Sequence, residues 1–145
     1  MSRPGRESIY AALFALLQGL PGLTTVSRRL VNAQDVQPES FPAAYQVQEK
    51  QSAKYQGVMA TKATLRASWL FYVYDSDPAA VLSTQLNQFV DAACAALAAQ
   101  PTTGRNTLGG LVEYAAISGD IEIFEGVLGD RAIAIVPIEI VLPGF

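Results

Sequence analysis

The sequence predicts an α+β protein with two helices packed on a mostly antiparallel sheet of about six strands. Three observations carry that expectation. Apolar residues recur every three or four positions over Glu7–Gln18 and again after Asp77. The segments between and after these stretches are of strand length and rich in β-branched and aromatic residues. Turn chemistry at Gly119-Asp120 and in EGVLGD divides the last third of the chain at hairpin spacing. The order is helix, three strands, helix, three strands, and 145 residues suit a single domain, 1–145.

In the first helix Ile9, Leu13, Leu16, Leu17 and Leu20 form one apolar stripe, and Gly19 with Pro21-Gly22 stops it. Thr24–Leu30 fits a short strand. Residues 31–41, VNAQDVQPESF, read as a polar loop. Ala43–Lys50 alternates around Tyr45 and Val47 as a second strand. Gln51–Thr61 shows no period and is expected to be an exposed loop. Thr64–Tyr74, TLRASWLFYVY, is the strongest strand signal. Asp77 and Pro78 suit the N-cap and first position of the second helix, which runs through Leu86, Phe89, Val90, Ala93 and Leu97 to near Pro101. Strands over Gly110–Ser118, Asp120–Glu125 and Arg131–Leu142 then follow as a meander.

The closing strand poses a problem of cover. Ala132, Ala134, Val136, Ile138, Ile140 and Leu142 fall on one face, while the other carries Ile133, Ile135, Pro137 and Val141 with Glu139. The aromatic strand is likewise apolar on both sides, with Leu65, Ala67, Trp69, Phe71 and Val73 opposite Leu70, Tyr72 and Tyr74. A sheet with one wet face should alternate cleanly. Two helices on opposite faces would complete the cover within one chain; two on the same face would leave apolar surface for a partner copy. Four buried aliphatic side chains are worth roughly 6–10 kcal/mol, so an oligomer is the expectation. Pro137, with no N–H, is expected at an edge or a bulge.

Composition narrows the function. Net charge is −3, but residues 1–66 hold eight basic and four acidic side chains, and residues 67–145 hold two basic and nine acidic ones. Such a division arises by chance in folded domains, and it also suits a surface that meets an oppositely charged surface on another copy. It gives no concentrated basic stripe for gripping nucleic acid. No apolar run approaches the roughly 20 residues of a membrane span. The N-terminal stretch lacks a small-residue cleavage pattern, so a secretory signal is not expected. Histidine is absent, which removes the commonest general base and metal ligand. Cys94 is alone and is expected to be a small buried residue of the second helix.

The chemistry-bearing residues are few. Asp120 and Glu122 share a strand face near Glu125 and Asp130, an arrangement open to cation binding or acid–base work, although a solvated hairpin rim is the plainer reading. GRNTLGG lacks the lysine of a phosphate-binding loop. Arg28-Arg29 suits an anion clamp, a donor of salt bridges between subunits or an exposed rim. Tyr55 and Met59, flanked by Lys54 and Lys62 in the aperiodic segment, either fold back or dock on a partner. Trp69, Tyr72 and Tyr74 leave open a small-molecule pocket.

Wording and order together give a resemblance. ESIYAALFALLQGLPGLTTVSRRL, FPAAYQVQ, TLRASWLFYVYDSDP, LGGLVEY and EGVLGDRAIAIVPIEI resemble the tail terminator (tail completion) proteins of tailed bacteriophages over nearly the whole chain. The resemblance implies a non-catalytic hexameric ring that caps the tail tube, stops its polymerisation and offers a surface for joining the head. It implies a virion protein assembled in the host cytoplasm, with no cofactor or metal, whose partners are its own copies, the tube protein and a head-side connector or stopper. DNA would slide through the lumen without specific binding. On that view Arg28, Arg29, Asp120, Glu122, Arg131, Ile133 and Ile135 are the candidates for the subunit interface. Lys54, Tyr55, Met59 and Lys62 are the candidates for contact with tube or connector. Another neck component, such as a head-closure or stopper protein, or a minor tail protein is the neighbouring possibility, and a small-molecule-binding domain the more distant one.

Overall fold

The computed structural model describes the backbone of residues 5–56, 59–125 and 129–142, and the side chains of these except for 54–62. The expected α+β architecture is present. Helices α1 (Arg6–Gln18) and α2 (Leu82–Ala96) accompany strands β1 (Thr25–Ser27), β2 (Ala43–Gln56), β3 (Met59–Tyr74), β4 (Tyr114–Ile117), β5 (Glu122–Glu125) and β6 (Arg131–Leu142). One six-stranded sheet runs β1-β2-β3-β6-β4, with β5 also on β6. Only β1 with β2 is parallel.

Both helices lie on the same face. Ile9, Tyr10, Leu13 and Leu17 of α1 and Leu86, Phe89 and Ala93 of α2 are buried in one core with Leu65, Trp69, Phe71, Val136, Ile138 and Ile140. Phe89 lies parallel to Phe71, with ring centroids 5.6 Å apart. The two strands divide between faces as their sequences predict. On β6, Ala132, Ala134, Val136, Ile138 and Ile140 are at most 1% exposed, whereas Ile133, Ile135, Pro137 and Glu139 are only half-buried.

The second face has a cover that the sequence did not announce. Residues 31–41, read as a polar loop, form two short 3₁₀ turns (Ala33–Asp35 and Pro38–Ser40) that lie over one end of it. Ala33 and Val36 are buried there with Ala43, Tyr45 and Tyr72, and Phe41, Leu70 and Ile133 pack against them. The expectation that two helices are the only available cover is therefore corrected. A few apolar side chains in a polar segment are enough to seat it on an aromatic patch.

Five further expectations change, the last of them at Pro137. Residues 51–61 are not a loop: β2 and β3 run on as a hairpin through the pairs Lys54↔Lys62, Tyr55↔Ala60 and Gln56↔Met59. The register shifts between Gln48 and Gln51, where β2 carries one extra residue. That bulge reverses which residues face the helices, so no single alternation spans the strand and the sequence looks aperiodic. Helix α2 starts at Leu82 with Val81 as N-cap. Asp77 instead closes a turn through Oδ1, which accepts from the Ala79 N–H at 2.9 Å. Cys94 is exposed on α2 rather than buried. Strands β4 and β5 do not form a meander, since each pairs with β6.

Pro137 sits in the interval between those two partners, on an interior strand and not at an edge or in the bulge of β2. Its carbonyl accepts from Ser118 N–H at 3.1 Å, so its nitrogen faces the same side, where the chain turns from β4 to β5 and no ladder bond is required. Gly119, at φ 114°, makes that turn. A Cβ there would lie 3.3 Å from Pro137 Cγ.

Candidate interaction surfaces

The charged side chains take meaning from the strand order. The first half of the chain supplies α1 and β1–β3, and the second half supplies α2 and β4–β6. Because β3 and β6 are neighbours, the basic half and the acidic half lie side by side across the sheet. Arg66 and Glu139 face each other at the seam, 3.7 Å apart. Arg29 and Lys50 are exposed toward the β1/β2 edge, and Asp120 and Glu122 are exposed at the β5 edge.

Several of the candidate residues have partners inside the chain. Arg28 pairs with Glu7 of α1 and also donates to Gln48 Oε1 at 3.2 Å. The Arg28 hydrogen bonds to Glu7, and the charge behind them, hold the Glu7 carboxyl below its usual range. Arg29 is exposed, and its backbone N–H donates to Ser27 Oγ. Arg131 reaches across the second face. Its Nη1 donates to the Gln34 carbonyl at 2.8 Å and its Nη2 to the Val36 carbonyl at 3.2 Å. The guanidinium lies 5.4 Å from the Phe41 ring and 5.7 Å from the Tyr74 ring, and those two rings stack on each other. Arg131 therefore fastens residues 31–41 to the sheet. Lys54, Tyr55, Met59 and Lys62 occupy strand positions near the hairpin tip, not a loop; their side chains lie outside the described residues.

The apolar candidates form a continuous stretch. On the second face Leu70 is opposite Ile135 and Tyr72 is opposite Ile133. Across β6, Glu122 and Phe124 of β5 stand opposite Ile135 and Ile133. Phe124 is 39% exposed and Ile123 42% exposed, on a strand whose four residues all meet solvent. An exposed apolar edge strand is what soluble proteins ordinarily avoid.

Glu125 has a role that sequence reading missed. Its Oε2 accepts from the Ser83 N–H at 2.6 Å, which places a carboxylate at the N-terminus of α2. The Ser83 hydroxyl first, and then its N–H, hold the Glu125 carboxyl below its usual range. The aromatic residues considered for a pocket all have internal partners: Trp69 is fully buried, Tyr72 lies against Tyr45, and Tyr74 stacks on Phe41. Among the described residues no cluster of three or more Cys, Asp or Glu side chains is arranged to hold a metal ion. No described helix is long and apolar enough to cross a membrane. No protein-family model matches the chain, and no curated protein matches it.

Proposed function

We propose that the protein is a structural subunit of a tailed-phage particle, a tail terminator whose copies close into a ring on the tail tube. In this reading the ring ends tube polymerisation and presents the surface to which the head is joined, and no catalysis is involved. The observation that carries the reading is the division of charge across the sheet. The β1/β2 edge bears Arg29 and Lys50 and the β5 edge bears Asp120 and Glu122, so one edge of a copy complements the opposite edge of the next. Contacts of that kind are head-to-tail, and they yield a finite assembly only when the rotation closes, as in a ring.

Backbone and apolar surface favour the same edges. Among the described residues β5 pairs on one side only, and β1 covers only Ala43–Tyr45 of the long β2 edge. Ile123 and Phe124 give the β5 edge an apolar component that pairing with a neighbour would cover. The β2–β3 hairpin continues past Ala63, the last β3 residue paired with the described part of β6. Its tip, with Lys54, Tyr55, Met59 and Lys62, is our choice for contact with the tube or the head-side connector. Six copies is the number that the resemblance implies. The acidic balance suits a lumen through which DNA slides without being held. The site of action would be the virion neck, reached after assembly in the host cytoplasm.

The experiment is negative-stain imaging of the protein mixed with its tail tubes, in wild-type form and as Arg29→Glu. The wild type is expected to cap tube ends with closed rings, and the variant to cap few of them. Rings bound only to the head-side connector would favour a head-closure or stopper protein instead. A wild-type protein that binds neither structure would refute both.

A further inference from the structure

We propose that residues 31–41 form a strap that opens as a unit while the rest of the chain stays folded, with Arg131 as its latch. The strap's C-terminal end is fixed and its middle is not part of the sheet. At that end the N–H groups of Thr24 and Thr25 donate to the Pro42 carbonyl at 2.8 and 3.3 Å. Thr24 Oγ1 donates to the Phe41 carbonyl and Thr25 Oγ1 to the Ser40 carbonyl. Before that anchor the backbone bonds stay within the strap's own turns, from Asp35 N–H to the Asn32 carbonyl, Ser40 N–H to Gln37 and Phe41 N–H to Pro38. What ties the middle to the sheet is a set of side-chain bonds to strap carbonyls. The Arg131 guanidinium reaches Gln34 and Val36, and the Tyr72 hydroxyl donates to Val31 at 2.9 Å.

The packing beneath is small and separate. Ala33, Val36 and Phe41 are the strap's apolar contribution, in a cluster distinct from the main core. Arg131 Nε is buried without a hydrogen bond, and it meets the Asp130 carboxylate only as an ion pair at 3.9 Å. A buried donor held at that distance gains a full hydrogen bond in any state that returns it to water. Leu30 and Val31, where the strap begins, already stand 45% and 38% exposed. Few apolar contacts, no shared ladder and one unsatisfied donor define a unit whose local opening requires less than global unfolding. Opening would bare Tyr45 and Tyr72, now 2% and 3% exposed, and join them to the half-buried Leu70, Ile133 and Ile135. The strap thus controls how much of the second face is apolar surface. This inference rests on one chain and is independent of the ring.

The test is limited proteolysis of the full chain with a glutamate-specific protease, following cleavage after Glu39 while circular dichroism monitors the fold. Arg131→Ala is expected to speed that cleavage by about tenfold, the factor for losing hydrogen bonds from a charged group, with the spectrum unchanged. Should that variant fail to fold, Tyr72→Phe removes the hydroxyl bond to Val31 alone, and a several-fold acceleration is expected. Cleavage at the wild-type rate in the folded variant, or only at denaturant concentrations where the sheet signal is lost, would overturn the strap.

Discussion

Gln46 shows how one polar side chain ties a helix to the sheet. It is 2% exposed, its Nε2 donates to the Tyr10 carbonyl at 2.9 Å, and its Oε1 accepts from Trp69 Nε1 at 3.0 Å. Changing Gln46 to Ala strands the indole N–H in a dry core, at a cost of about 2–3 kcal/mol. Denaturant unfolding should show that loss, and Trp69→Phe in the same chain should recover part of it. A Gln46→Ala variant as stable as the parent would show that water reaches the site. Tyr72 makes a pH prediction. Burial first, then the neighbouring Tyr45, push its hydroxyl up to about 12. A tyrosine whose folded pKa is raised holds its proton more tightly when folded. Its contribution is therefore whole below the unfolded value of about 10 and is lost as pH climbs through about 12. Burial also raises Tyr10 and Tyr45, so spectrophotometric titration should find several late tyrosines, with Tyr72 ionising together with unfolding. At the acid end, Glu7 and Glu125 have lowered pKa values, set first by their bonds to Arg28 and to Ser83. Their contributions are present above the ordinary carboxylate range and fade as pH falls through the lowered values.

At the scale of elements, the turn between β4 and β5 is the most sharply defined. Gly119 has φ 114° and the Pro137 ring lies against the site of a missing Cβ. Gly119→Ala should cost about 1–3 kcal/mol and lower the melting temperature by several degrees, whereas Gly104→Ala tests backbone strain alone, with nothing within 4 Å of its Cβ. Equal effects would mean that the proline contact is immaterial. Elements were legible where one period runs unbroken. The stripe of α1, the two faces of β3 and the whole of β6 follow from spacing, and β6 has the bounds that spacing predicts. Legibility failed where a local event resets the period. The β2 bulge exchanges inward and outward positions, so a 14-residue strand reads as a short strand and a loop. The N-terminus of α2 was misplaced because Asp77-Pro78 has the composition of a cap while forming an earlier turn. The strap was missed because its cover depends on Arg131, almost a hundred residues away, and local sequence carries no trace of that distance.

For the molecule as a whole, the sequence exposed the problem and part of the answer. A closing strand apolar on both faces does need more than the helices. The chain supplies some of that cover through residues 31–41, and the half-buried Ile133 and Ile135 together with the exposed Ile123 and Phe124 are what it leaves. The charge division was readable as totals, but its placement on opposite edges required the strand order, which no spacing encodes. Of the proposed interface residues, Arg29, Asp120 and Glu122 make no ion pair or clamp among the described residues of the kind that engages Arg28 and Arg131. The most direct measurement is the mass of the assembly in solution, by sedimentation at low salt, for wild type, Arg29→Glu, Glu122→Lys and the two combined. Head-to-tail edges predict a closed species of several 15.5 kDa chains for the wild type, six being the number that the resemblance implies, with dissociation in each single variant and recovery when both charges are exchanged. A wild type that stays monomeric at every concentration, or single variants that assemble as well as the parent, would contradict it.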